Sequence, residues 1–335
     1  MLKNINRKKL FFGIDMTIQE IYQLAIQMGI KADPRGKRGV EKALKRAKKE
    51  YGELRGKKKE DFDPEALKNP YSDSRILFGD SSTVVDKILV GIDIGPGEIV
   101  LADRLNEKGE GIDVIIAHHP HGRALAALDE VMDLQVEMMA VYGVPINIAE
   151  GVMKERIGEV YRKIASANHF QTVDAARLLN LPFICLHTPL DNLGWRFLTD
   201  YFKNKKPERL KDVLEILRQI PEFDQAVKNK AGPSLFVGEK NSRAGRVEVA
   251  QFTGGTEGAK AIYEKLALAG VGTVIGMHAS EEHRKEAKKQ HLNLVISGHM
   301  ASDSLGINLF LDQLEERGIT VLPCSGVIRV RRRKA

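Results

Sequence analysis

The sequence predicts an α/β protein of two lobes with mostly parallel sheets facing a cleft, and three observations carry that expectation. Short, nearly continuous apolar runs such as Ile88-Leu89-Val90-Gly91-Ile92 and Val114-Ile115-Ile116-Ala117 alternate with helical patterns, as parallel strands buried on both faces require. A less apolar stretch between about residues 195 and 235 interrupts this alternation, which resumes after Gly232-Pro233. The chain has 335 residues, 43% hydrophobic and 29% charged, which is enough to bury a large core and argues against disorder.

The elements follow in order. Thr17 is placed to cap a helix whose Ile18, Ile21, Tyr22, Leu24 and Ala25 recur at helical spacing, and Ala32-Asp33-Pro34-Arg35-Gly36 ends it. A lysine-rich helix is expected over about 40–54. Residues 57–73, charged and carrying Pro64 and Pro70, read as an extended linker or an arm lying on the body. The first lobe then gives a strand at 88–93, a helix at 97–108, a strand at 114–117, helical patterns at 124–142 and 153–179, and a strand at 183–186. After a helical zone at 195–230, the second lobe gives strands at 246–252, 271–275, 294–297 and 319–322, with helices at 258–268, 281–290 and 304–317. The expected organisation is a basic, partly helical extension (1–75), a first α/β lobe (76–195), a helical connector (196–235), a second α/β lobe (236–328) and a basic tail (329–335).

The net charge of +7 is concentrated. Between Arg35 and Glu60 stand twelve Lys or Arg against four Glu, so the remainder is about neutral. This run (35–59) and the tail 329–334 are candidate nucleic-acid contacts, or simply solvated faces, the commoner role of charge runs. No window approaches eighteen uninterrupted apolar residues and the N-terminus lacks a signal-peptide pattern, so a soluble, cytoplasmic protein without membrane contact is expected. Cys185 and Cys324 are too few for a disulfide framework and lack metal-knuckle spacing, and both read as buried apolar residues.

The chemistry stands at the strand ends. The strand 114–117 runs into His118-His119-Pro120-His121, the strand 183–186 into His187-Thr188-Pro189-Leu190-Asp191, and the strand 294–297 into Gly298-His299-Met300-Ala301-Ser302-Asp303. Ligands of α/β sheets bind at that edge, so segments far apart in sequence can converge there. One such histidine is ordinarily structural. Three segments together favour a metal centre, and mixed His and carboxylate ligation suits zinc, iron, manganese or nickel better than calcium. Some six candidates exceed the needs of one open site, which makes a pair of ions about 3.5 to 4 Å apart attractive.

The ordered set His118-His119-Pro120, His187-x-x-x-Asp191 and Gly298-His299-x-x-x-Asp303 resembles the dinuclear-metal family named for the yeast Ngg-interacting factor three, also described as GTP cyclohydrolase type 2-like proteins. The likeness covers about residues 80–328, including the strand 90–93, the glycine turn Phe252-Thr253-Gly254-Gly255-Thr256 and the chain near Pro323. It implies two α/β lobes, two divalent metal ions per chain and a homohexameric ring. Position by position it implies His118, His119, Asp191, His299 and Asp303 as metal ligands, the two aspartates as bridges, and His187 beside them orienting a ligand. The family normally has Glu where Asp303 stands. His121 replaces an expected apolar residue, and residues 1–75 have no counterpart.

The resemblance and the residues together give a metal-dependent hydrolase, in which metal-bound hydroxide attacks a nucleotide-like or other small substrate. The reacting group is then a metal-bound water, with His187 and His278 as nearby catalytic candidates. Thr253, Gly254, Gly255 and Thr256 follow a strand and are expected to open a helix, where free N–H groups would receive an anion of the substrate. His283 and His291 read as helix-surface residues, and Trp195 as core or interface. Two alternatives stand beside this: a metal-stabilised, ring-forming scaffold or regulatory protein that binds nucleic acid or a protein partner, and an amidohydrolase-like enzyme reading His119-Pro120-His121 as its His-x-His motif. The extension 1–75, which contains no His, is expected to be separable from the metal chemistry.

Overall fold

The computed structural model describes residues 15–332. Its first sheet contains β2 (Arg75–Phe78), β4 (Lys87–Gly91), β5 (Val114–Ala117), β6 (Phe183–Cys185) and β11 (Thr320–Cys324) in the order β11-β4-β5-β6-β2. All neighbours are parallel except β2, which runs antiparallel to β6. The second sheet, β7 (Ser234–Val237), β8 (Val247–Val249), β9 (Thr273–Gly276) and β10 (Asn293–Ile296), has the order β7-β10-β9-β8, with β7 alone antiparallel. A two-stranded antiparallel ribbon joins β1 (Met16–Thr17) to β3 (Val84–Val85). The two-lobed, mostly parallel α/β architecture is therefore as the apolar runs require. β4, β5, β6, β9 and β10 are buried along nearly their whole length because helices cover both faces. Among the described residues no helix is long and apolar enough to cross a membrane.

Helix α1 (Ile18–Ala32) is capped as expected: the Thr17 hydroxyl accepts from Glu20 N–H, and the Glu20 carboxylate accepts from Thr17 N–H. Its buried face, Ile18, Ile21, Tyr22, Ala25 and Ile26, lies on the Thr188–Lys203 helix. The approach is so close that a Cβ on Gly29 would stand 2.6 Å from Pro189 Cα. Helix α2 (Gly36–Glu53) buries only Val40 and presents its lysines outward.

Several boundaries differ from the sequence expectation, each for a local reason. Of the two expectations for residues 57–73, the extended linker is not what forms: the segment lies on the body, with Asn69, Tyr71, Ser72 and Asp73 buried. Asn69 Nδ2 donates to Tyr22 Oη and to the carbonyls of Tyr71 and Ser74, while Tyr71 Oη donates to Asp33. The pattern 124–142 breaks into Gly122–Ala126 and Asp133–Val141, with the Ala127 carbonyl taken by Ser72 Oγ. The pattern 153–179 breaks into Ile146–Ile164 and Gln171–Leu178, where Ser166 and His169 side chains bond the carbonyls of Lys163 and Ile164. The last long helix starts at His299 rather than 304, because Gly298 at φ 101° turns the chain directly after β10.

Candidate metal centre

The parallel strands deliver His118 and His119 from the end of β5, His187 from β6 and His299 from β10 into one space. Asp191 stands in the first turn of the Thr188–Lys203 helix, and Asp303 one turn into the His299–Glu316 helix. These two helices pack with little between them: a Cβ on Gly306 would collide with the Leu190 carbonyl oxygen, and Gly194 lies against Gly306. That approach brings the two carboxylates onto the same imidazoles.

His118 Nε2 is 3.2 Å from Asp191 Oδ1 and 3.8 Å from Asp303 Oδ1. His119 Nε2 and His299 Nε2 are each 3.5 Å from Asp303 Oδ2, and His187 Nε2 is 3.6 Å from Asp191 Oδ2. Asp303 thus reaches three imidazoles, whereas Asp191 reaches His118 and His187. Three ring nitrogens point inward for one reason. Nδ1 of His118 donates to the Leu186 carbonyl (3.0 Å), that of His119 to Asp93 (2.6 Å) and that of His187 to Asp73 (2.9 Å), which leaves each Nε2 lone pair for the centre.

The buried imidazoles and carboxylates shift one another's protonation. Burial would lower the pKa of His187, but Asp191 and Asp73 outweigh it and push it up to about 9. Burial lowers His299 to about 4, with help from His278, His119 and His118 and against Asp303. Asp303 is held below the usual carboxylate range: burial opposes its charge, and the surrounding imidazoles, His118 first, reverse that effect. Even so, His118 Nε2, Asp191 Oδ1 and both oxygens of Asp303 are buried with no hydrogen-bond partner among the described residues. Among the described residues, the charge partners of these carboxylate oxygens are imidazoles at 3.2 to 3.8 Å, against a burial cost of several kcal/mol, and donors of this type converging within 4.8 Å in three groups (His118-His119-His187, His119-His299-Asp303 and His118-Asp191-Asp303) can hold a metal ion.

Other expected residues fall into place or move. His278 is exposed at the rim, its ring 4.5 Å from that of His299. Thr253, Gly255 and Thr256 line the small cavity, about 30 Å³, over the centre. The helix expected to open at that turn begins only at Ile262, so the turn is no helix N-terminus; Gln135 Nε2 instead pins the carbonyls of Gly254 and Thr256. Trp195 is core, its Nε1 donating to Tyr142 Oη and the Val249 carbonyl. His283 is buried beside Tyr263 rather than on the helix surface, whereas His291 is exposed. Cys185 is buried and Cys324 only partly so. The tail arginines are engaged internally, Arg329 with Asp312 and Glu315, Arg331 with Glu315, and Arg332 with Glu222; Arg333 and Lys334 lie outside the described residues.

Sequence reasoning missed Asp73, Asp93 and Asn192. Asp93 stands at the end of β4 and was open to the same strand-end rule as the histidines. Asn192 donates to Gly29 O and Tyr71 Oη and accepts from Thr253 Oγ1, tying α1, the segment before β2 and the glycine turn together one residue beyond Asp191. The stretch 1–75, expected to be separable from the metal chemistry, nevertheless touches the site through Asp73, which accepts from His187 Nδ1.

The fold and the His/Asp cluster at its strand ends define a two-lobed α/β protein with a candidate metal centre. Among solved structures, the chain is similar to a NIF3 superfamily protein from Sphaerobacter thermophilus, with 29% identity and a TM-score of 0.73 over 93% of this chain and 99% of that one. Reduced HcgD from Methanocaldococcus jannaschii shares the fold, with 14% identity and a TM-score of 0.50 over 79% of this chain and 93% of that one. No protein-family model and no curated protein matches the chain. These likenesses support the NIF3-like family for this chain.

Proposed function

We propose that this chain binds two divalent transition-metal ions and acts as a metal-dependent hydrolase on a small, nucleotide-like substrate. The observation that carries the reading is the set of buried, unpartnered ligand atoms on His118, Asp191 and Asp303. One ion would be held by His118, Asp191 and Asp303, with His187 added; the other by His119, His299 and Asp303. Two such ions supply Lewis acidity and bring the pKa of a coordinated water into the neutral range. The cavity over the centre is too small for a substrate. A neighbouring cavity of about 390 Å³ shares Glu257 as a wall and has the volume for a small substrate; its lining is mixed in charge, Arg156 pairing with Glu159 and Lys260 with Glu282. His278, exposed in the wall of the smaller cavity, would exchange a proton with a leaving group through its imidazole. Family resemblance supports a homo-oligomer, a hexameric ring in the cytoplasm.

The second reading, a metal-stabilised scaffold on nucleic acid, is supported by α2, whose exposed Lys37, Arg38, Lys42, Lys45 and Lys48 have no ion pair among the described residues. The deciding experiment is elemental analysis of protein purified without added metal, followed by a panel of nucleotides and cyclic amides. About two ions per chain and turnover lost on chelation are expected. A metal content near zero under replete conditions would sink the reading. Full metal without turnover, joined to steeply salt-dependent nucleic-acid retention, would select the scaffold.

A further inference from the structure

Asp73 belongs to no motif, yet the register of the first sheet carries it to the centre. β2 pairs antiparallel with β6, Arg75 opposite Cys185 and Ile76 opposite Ile184. Continuing that register two residues past the strands sets Asp73 opposite His187 and Ser74 opposite Leu186. The side chains obey it. Asp73 Oδ2 accepts from His187 Nδ1 at 2.9 Å and from Thr188 Oγ1 at 2.6 Å, and Ser74 Oγ accepts from His187 N–H at 2.9 Å. Asp73 is fully buried, and its neighbours are fixed in turn: Asn69 Nδ2 holds the Ser74 carbonyl, and Arg75 Nη1 holds the carbonyls of Tyr71 and Ser74.

We propose that Asp73 is the positioning residue for His187: it keeps the proton on Nδ1 and aims Nε2 at the cation bound beside Asp191. The proposal rests on the metal reading above. A carboxylate behind an imidazole fixes both the ring orientation and the tautomer, and it raises ligand basicity. Asp73 does this in a dry setting that Thr188 completes. The centre contains its own contrast, because Asp93 makes the same contact with Nδ1 of His119 but its side chain is 65% exposed. If the Asp93 carboxylate is lost, water can take its place; behind His187 no water can reach. The two pairs should therefore differ in consequence although they look alike in geometry.

The experiment titrates the full chain with zinc against a competing chelator, comparing wild type, Asp73→Asn and Asp93→Asn. Asp73→Asn is expected to weaken one of the two zinc-binding steps by about 10 to 100-fold, and Asp93→Asn to change affinity only a few-fold. Thr188→Val, which leaves Asp73 in place with one donor fewer, should weaken the same step as Asp73→Asn by a smaller factor. Nitrogen-15 NMR of zinc-loaded wild type supplies a readout that does not depend on any variant folding, with His187 carrying its proton on Nδ1 and none on Nε2. A folded Asp73→Asn variant with wild-type affinity at both steps, or a His187 proton found on Nε2, would overturn the proposal alone. A wild-type chain that binds no zinc would overturn the metal reading and this proposal with it.

Discussion

Asp303 is the residue on which the proposed two-ion reading depends, and its replacement gives the sharpest test of how the ligands would be shared. Its Oδ2 lies 3.5 Å from both His119 Nε2 and His299 Nε2, and its Oδ1 lies 3.8 Å from His118 Nε2, so it belongs to two of the three candidate groups. Zinc held by four protein ligands binds with about 10 to 16 kcal/mol, or about 3 to 4 kcal/mol per ligand, equivalent to roughly a hundred- to a thousandfold in affinity. A ligand that serves one ion therefore releases one, and a ligand that serves both weakens both by that factor. Asp303→Ala should lose both ions under conditions that saturate wild type, whereas His299→Ala should lose one. The assay is metal content after equilibrium dialysis against a buffered concentration of free zinc, with thermal melts of the metal-free variants to show that the fold persists. Two ions retained by a folded Asp303→Ala variant would refute the sharing. Equal losses in Asp303→Ala and His299→Ala would refute the division into two groups.

The other predictions concern how the fold holds the site. Gly306→Ala places a methyl group against the Leu190 carbonyl oxygen, an overpacking expected to cost about 1 to 3 kcal/mol, and it pries apart the helices that bear Asp191 and Asp303. Its melting temperature should fall by several degrees and its metal affinity should fall with it; an unchanged melt would show that the helices have room to spare. A chain starting at Ser74 loses α1 and Asp73 together. With Ile18, Ile21, Tyr22 and Ile26 buried, at about 1.5 to 3 kcal/mol each, the loss of about 6 to 12 kcal/mol equals the net stability of an ordinary domain. That chain should be insoluble or unfolded by circular dichroism, and a folded, metal-binding product would show the segment to be dispensable.

What could be read from the sequence follows the range of the forces involved. β4, β5, β6 and β10 announce themselves because a strand buried on both faces must be apolar along its length. The residue after such a strand leaves the sheet at its ligand-binding edge, so His118, His187 and His299 were legible as a converging set. Helix ends were less legible. The breaks near Ala127 and Ser166 depend on side chains of Ser72, Ser166 and His169 competing for carbonyls, and periodicity carries no trace of a contact from 55 residues away. His283 was misplaced for the same reason: only its distant neighbour Tyr263 makes its burial tolerable.

Asp73 shows the limit more clearly. In sequence it sits in a polar run, Tyr71-Ser72-Asp73-Ser74, after a lysine-rich stretch, where an aspartate looks like surface. Its burial follows from one antiparallel pairing in an otherwise parallel sheet, and neither strand signals its partner or its direction. Once β2 lies on β6, however, the rest is forced. Asp73 faces His187 with no water to share its charge, so it needs the Nδ1–H of His187 and the hydroxyl of Thr188. His187, bound at Nδ1, must turn Nε2 toward Asp191. The basic stretch just upstream obeys the same electrostatics in the opposite sense. The lysines of α2 find no buried acid and turn to water, while Arg35, at 5% side-chain exposure, stays inside because Asp33 meets its guanidinium at 2.8 Å. Residues 15–75 thus carry Asp33, Arg35 and Asp73, each with a close partner, into the body as far as the candidate metal centre, while the lysines of α2 form its outer face.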